Sequence, residues 1–318
     1  MPAAAAKNGR LKPLGEDRKS GGCKAALMAF CIAGTIGFSS LRAAEPAPAP
    51  TAKEFLDRAK KSYESGKVEE ALGLTTQAIN VDPQSESGYY YRARIYENKG
   101  DHARAIADFD QVIKINLRAS HVYQLRGAEQ FKAGHILESI ADFDRYLALE
   151  PDQEAYHWQR GISYYYAGKF EEGRKQFELH QTVNPHDVEN AVWHFLCNAK
   201  ANGLEKARAA LIKIQGDSRV PLMQVQALFA GNAKPEDVLA AAKAGNPSES
   251  QLQERMFYAN LYLGLYYEAV GDDALSREHI KAAVKDFRPG NYMWEVARVH
   301  QMLRAKTEKK PVAAPVKN

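Results

Sequence analysis

The sequence predicts an all-α fold, a solenoid of antiparallel helix pairs, and three observations carry that prediction. Glycine recurs at a step of 34 residues, at Gly66, Gly100, Gly134 and Gly168, with Asn202 at the next step. Small residues recur in two further columns, Ala59, Ala93, Gly127 and Gly161, and Ala71, Ala105, Ser139, Gly173 and Ala207. Phe109, Phe143 and Phe177 share the same frame, as do Pro83, Pro151 and Pro185, with Leu117 filling the gap in the proline column. A fixed step of this length marks one supersecondary unit repeated along the chain. Small residues facing each other let two helix axes approach closely. Glycine takes the turn between the helices and proline stops the second one. The phenylalanines are expected to fill the space between neighbouring repeats. Each pair leaves an apolar face that only the next pair can bury, so several pairs are needed for stability.

Residues 1–44 read as a signal peptide or an uncleaved signal anchor. Arg18, Lys19 and Lys24 precede an apolar run from Ala25 to Leu41, and Ala43 and Ala44 offer small residues for cleavage. The run is about as short as a membrane-spanning helix can be, so the membrane enters only through an uncleaved leader. Either form places the remainder outside the cytoplasm, in the periplasm or cell envelope. Cys23 lies too early and Cys31 falls inside the apolar core, so neither is placed to carry a lipid. After cleavage only Cys197 remains, which excludes an internal disulfide and points to a small buried side chain.

Residues 45–51 form a spacer in which Pro46, Pro48 and Pro50 favour extended polyproline conformation. Four regular repeats follow at 52–85, 86–119, 120–153 and 154–187. Residues 188–249 hold a worn repeat, with helices expected at 191–202 and 205–214, then helices at 220–230 and from Pro235 to about Ala244. Pro235 suits a first turn, where a missing N–H costs nothing. Ser248 with Gln251 three residues on forms a capping signal for a last repeat, 250–270 and 273–287. A closing amphipathic helix is expected at 291–303, within a final region of 250–304. Residues 305–318 are mostly Lys, Pro and Ala with little to bury, the composition of a disordered tail.

The glycine, alanine, phenylalanine and proline columns identify residues 52 to about 303 as resembling the tetratricopeptide-repeat (TPR) family. Within it, the C-terminal half resembles the bacterial outer-membrane lipoprotein NlpI and its exported relatives. That likeness rests on the stretch from Phe257 to Asp272, on Ala282, Ala283 and Val284, and on Trp193. It implies an adaptor that brings cell-wall hydrolases or an envelope protease to their substrates, often as a homodimer. The missing lipidation cysteine departs from the pattern and bears against outer-membrane anchoring.

The resemblance also implies a concave face lined by the first helix of each pair, at the second, fifth, ninth and twelfth positions of the repeat. Those positions supply a partner-binding groove of Lys60 and Tyr63, then Tyr90, Arg94 and Glu97, then Gln124 and Phe131, then Trp158, Ile162 and Tyr165. Aromatic and Arg side chains on such a face are the usual anchors of a protein interface. The carboxylate clamp of cytosolic chaperone adaptors is not among the readings, because its positions hold Leu56, Lys60, Tyr91, His121 and Leu125.

Other functions find little support. The first 44 residues carry seven basic and two acidic side chains, so the chain beyond them is close to neutral and offers no broad field for nucleic acid. His180, His186 and His194 lack the spacing that puts two metal ligands on one helical face. His180 falls where side chains pack between helices. No Gly-x-Ser-x-Gly elbow or glycine-rich phosphate loop occurs. No enzyme activity and no cofactor are expected. The partners expected are other proteins or peptides, and the alternative is a receptor for a small ligand such as a cell-wall fragment, with segment 216–250 as one wall of its pocket.

Overall fold

The computed structural model describes residues 49–286 and 291–308. The leader, most of the proline spacer and residues 309–318 of the tail lie outside them. Every regular element among the described residues is helical. Four antiparallel pairs come first: α1 Ala52–Glu64 with α2 Val68–Val81, α3 Glu86–Asn98 with α4 His102–Ile115, α5 Ser120–Ala133 with α6 Ile136–Leu149, and α7 Trp158–Tyr166 with α8 Phe170–Gln181. Then come α9 Val188–Asn202, α10 Leu204–Ala209, α11 Leu222–Phe229, α12 Pro235–Lys243, α13 Glu249–Val270, α14 Asp273–Asp286 and α15 Tyr292–Glu308. No helix among the described residues is long and apolar enough to cross a membrane.

The turn chemistry follows from backbone sterics. Gly66, Gly100, Gly134 and Gly168 all sit at positive φ, between 71° and 79°, in the turns that join first to second helices. The next such residue is Gly203, at φ 89°, and not Asn202, which is the last residue of α9. The glycine is displaced by one residue here, although Ala207, fully buried on α10, keeps the 34-residue step. At the starts, Thr51 and Glu54 cap α1 reciprocally, and Ser248 and Gln251 do the same for α13.

The columns of small residues are contact points. A Cβ on Gly127 would lie 2.7 Å from the Phe143 ring, and one on Gly161 would lie 2.7 Å from Phe177 Cζ. Phe143 and Phe177 seat on the glycine of their own pair and also reach the next repeat, where Phe143 lies 4.5 Å from His157 and Phe177 6.5 Å from Trp193. In the last pair, Gly264 receives Ile280 in the same way.

A second ladder, of charge, runs through the pairs. Arg92, Arg126 and Arg160 are 34 residues apart, and each reaches the second helix of its own pair and of the pair before. Arg92 donates to Asp108 at 2.7 and 2.8 Å and to Thr76 Oγ1 at 3.2 Å. Arg126 donates to Asp142 and to Asp110, and Arg160 to Gln176 and to Asp144. Each guanidinium thus ties a helix pair to its predecessor with charge-assisted hydrogen bonds.

Beyond the regular array, α9 is buried on nearly all sides, from Asn190 to Asn198, and packs against α7, α8, α10, α11 and α13. Cys197 lies on it, with its thiol pushed well up by burial. The second helix of this worn repeat is short, ending at Ala209 and not near Ile214. Arg219 fastens the following loop by pairing with Asp187, Glu189 and Asp217. Helix α15 continues to Glu308, so residues 305–308 are helical and do not belong to the tail.

Three expectations follow. Gly161→Val drives two methyl groups into the Phe177 ring and should lower the free energy of unfolding by about 2 kcal/mol, read by urea denaturation. Arg126→Met leaves the Asp142 carboxylate, whose side chain is 7% exposed, without its cation and should cost about 3 kcal/mol by the same measurement. The third concerns acid. His157 is buried, its Nδ1 accepts the Arg160 backbone N–H at 3.2 Å, and its Nε2–H donates to Gln124 Oε1. Burial, aided by Arg160, lowers its pKa to about 3. A folded-state pKa below the unfolded value gives stability that is present above about pH 6.5 and lost as the pH falls towards 3. His157→Asn keeps a capping oxygen and removes the titration, so the drop in Tm between neutral and acid pH should shrink.

Candidate protein-binding groove

The residues expected in the groove lie on α1, α3, α5 and α7. On the first two, the structure brings five of the expected groove residues together. Lys60 Nζ lies 4.7 Å over the Tyr91 ring and 3.7 Å from Asp57. Arg94 Nε stands 2.7 Å from Glu97 Oε2, and its Nη1 donates to Tyr90 Oη at 3.4 Å. Tyr90 meets His121 of α5 edge-on at 5.5 Å. Tyr63 completes the group: burial raises its phenol pKa, Arg94 pulls it down and Glu97 pushes it up. Tyr63, Tyr90, Arg94 and Glu97 are all partly buried, and the paired Arg94 Nε and Glu97 Oε2 are themselves buried.

The other five are placed differently. Gln124 bridges α5 to α7, donating to Gln159 Oε1 at 2.6 Å and accepting from His157. Phe131 and Ile162 are 0% exposed and Tyr165 is 5% exposed. Trp158 is half-buried, edge-on to Tyr292 at 5.1 Å. These positions do not form an open surface, because α15 occupies the groove there. Tyr292 stacks on Phe131 at 5.7 Å, Arg298 donates to the Lys132 carbonyl, and Tyr166 meets His300 of α15. The groove expected across four repeats is therefore open over α1 and α3 and filled over α5 and α7 by the chain's own last helix.

At the boundary a chain of charges runs inward. Glu97 lies 3.8 Å from Lys132 Nζ, which lies 2.6 Å from Glu129 Oε1. Glu129 is 0% exposed, and its other oxygen takes His102 Nδ1 at 2.7 Å. Burial pushes the Glu97 carboxyl up, with Arg94 and Lys132 opposing, whereas at Glu129 the hydrogen bond from His102 and the charge of Lys132 outweigh burial and hold it down. From α15, Arg298 pairs with Glu295 at 2.7 Å and approaches His102 Nε2 at 3.4 Å. A cleft of about 650 Å³ opens beside this network, between α15 and the turns at Gly100 and Gly134.

Sequence reasoning missed His102, Glu129, Lys132 and Arg298. On a helix drawn flat each looks like solvated charge. Among the described residues no group of His, Cys, Asp and Glu side chains is arranged to hold a metal ion. His180 is buried with Nδ1 2.9 Å from the Ala155 carbonyl, a packing role. What the open half can do is hold a polypeptide, by aromatic contact, hydrogen bonds and charge pairing.

Comparison with known proteins agrees with the repeat columns. The tetratricopeptide repeat family matches residues 87–118. A curated relative, the tetratricopeptide repeat and J domain-containing co-chaperone DNJ1 of Cryptococcus neoformans, is 33% identical over 67 residues, which is 21% of this chain; the match spans only 13% of that protein's length. Among solved structures, a tetratricopeptide repeat protein from Parabacteroides merdae superposes with a TM-score of 0.54 at 12% identity, over 78% of this chain and 98% of that one. The TPR protein YrrB, described as having an unusual peptide-binding site, gives 0.48 at 16% identity over 60% of this chain and 92% of that one. By its helix pairs, its turns and its structural neighbours, the chain folds as a tetratricopeptide-repeat solenoid.

Proposed function

We propose that this protein is a non-catalytic adaptor of the cell envelope that holds partner proteins in the open half of its concave groove. The observation that carries the reading is the group on α1 and α3, where Tyr63, Tyr90, Arg94 and Glu97 converge, each partly buried, with Lys60 beside them. Rigid aromatics and a pre-paired arginine on a concave surface lose little conformational freedom when a partner docks. The envelope placement is supported by the apolar run Ala25 to Leu41 with its basic flank, and the choice of cell-wall hydrolases or an envelope protease as partners by the NlpI-like stretch from Phe257 to Asp272. The same resemblance supports a homodimer.

The alternative reading assigned the wall of a ligand pocket to segment 216–250. That segment is tied down, with Arg219 committed to three carboxylates and Gln226 donating to the Ile212 carbonyl at 3.0 Å. It supports the adaptor reading that this region is scaffold.

The full chain, expressed in its native envelope and crosslinked, should capture a hydrolase or protease. Tyr90→Ala with Arg94→Ala should weaken the purified pair by about 2 kcal/mol or more, roughly 30-fold in Kd. Trp158→Ala, lying under α15, should lower Tm while leaving that Kd near the wild-type value. Equal capture by the wild type and the Tyr90 and Arg94 variant would move the site off this groove.

A further inference from the structure

The loop that follows α10 is fastened by one arginine set among three carboxylates. Arg219 Nη2 reaches Asp187 Oδ1 and Asp217 Oδ2, each at 2.6 Å, its Nε reaches Asp217 Oδ1 at 2.9 Å, and its Nη1 donates to Glu189 Oε1. The carboxylates come from two parts of the chain: Asp187 caps α9, Glu189 lies in the first turn of that helix, and Asp217 belongs to the loop. With all three ionised, the cluster holds more negative charge than one guanidinium balances. The side chains of Asp217, Glu189 and Asp187 are 4%, 12% and 18% exposed, so water screens the excess poorly.

The three carboxylates are not equally provided for. Asp187 accepts the Glu189 backbone N–H and Asn184 Nδ2, both at 3.0 Å. Asp217 accepts the backbone N–H of Val188 at 3.2 Å and of Arg219 at 3.0 Å. Each of these two thus takes an N–H from the first turn of α9, where a carboxylate is favoured. Glu189 takes no backbone N–H. Its Oε2 faces α13, where the hydroxyl of the fully buried Tyr262 donates to it. Tyr258 stacks on Tyr262 with ring centroids 6.5 Å apart and accepts from Asn291 Nδ2 at 3.2 Å, just before α15, and Glu254 bears on it from the same helix. From α7, α8, α10 and α11 no ion pair or hydrogen bond reaches Glu189 among the described residues. Burial pushes the Glu189 carboxyl up, with Asp187 and Asp217 adding to it and Arg219 and Tyr262 opposing. At Asp217, by contrast, the hydrogen bonds from Arg219 and Val188 outweigh burial and hold the carboxyl down.

We propose that this junction is a proton-operated clasp: protonation of Glu189 locks α9, the loop at 216–221 and α13 together, and loss of that proton loosens them. The proton resides on Oε2, and the Tyr262 hydroxyl turns from donor to acceptor. Oε1 keeps Arg219, whose guanidinium then faces two full charges in place of three. A carboxyl raised on folding gives stability that is present below its unfolded value and lost as the pH rises through the folded one. The clasp therefore tightens on mild acidification, opposite in sense to His157. It lies outside the open groove, so its failure would leave the adaptor reading untouched.

The test begins with carbon-13 NMR of the protein labelled at its glutamate carboxyls, the Glu189 signal being identified by its loss in Glu189→Gln. Its midpoint should lie above about pH 5.5, beyond the ordinary spread of glutamates. Amide exchange of the loop at 216–221, corrected for the intrinsic rate, should slow about tenfold from about pH 8 to about pH 6 in the wild type. In Glu189→Gln, whose amide can donate to Tyr262 at every pH, it should stay slow throughout, with circular dichroism confirming the fold. A midpoint at or below about pH 5.5 would overturn the proposal. So would loop exchange that responds to pH equally in the two proteins.

Discussion

Everything in the regular array depends on how closely two helices in a pair can approach. At Gly127 and Gly161 no side chain intervenes, and a phenylalanine of the partner helix takes the space a Cβ would need. That contact sets the distance between the two helices, and with it the shape of the apolar face handed to the next pair. The arginine ladder then fixes one pair to another on the polar side, using Thr76, Asp110 and Asp144 in turn. Packing decides the spacing and charge decides the alignment. Beyond the fourth pair the arginine ladder ends and the chain turns to a different solution, a helix surrounded on nearly all sides, before the close glycine contact returns where Gly264 meets Ile280.

That division explains what could be read in advance. Gly66, Gly100, Gly134 and Gly168 are local requirements of a left-handed turn, and Ser248 with Gln251 is a local cap, so each leaves its mark in adjacent residues. The ladder of Arg92, Arg126 and Arg160 was equally periodic, yet arginines at helical spacing look like solvent-facing charge until a partner helix is placed beside them. Glu129 is a harder case. Lys132 is its local partner three residues on, but a glutamate paired that way is usually exposed; His102, which takes its other oxygen, becomes a neighbour only through the fold.

The groove shows the same limit from another direction. Counting repeat positions found the residues of the concave face, but not which of them would stay open. Phe131, Ile162 and Tyr165 have the right register and are buried all the same, with Tyr292 lying on Phe131. Whether a helix returns to a distant surface depends on the shape of everything between them. An amphipathic segment such as α15 carries no local sign of its destination.

The return of α15 also changes what kind of object the solenoid is. A stack of repeats is ordinarily open-ended, each unit answering only to its neighbours, so that it frays from its ends and melts in stages. Here Arg298 reaches the Lys132 carbonyl across 166 positions of sequence, and His102 across 196. The stack is fastened into a closed circuit. The third and fourth pairs cannot loosen without releasing the last helix, and the last helix cannot lift without uncovering Phe131 and Trp158. Cooperativity that nearest-neighbour stacking cannot supply is gained by one long-range clasp, in exchange for the chain entropy of closing so large a loop.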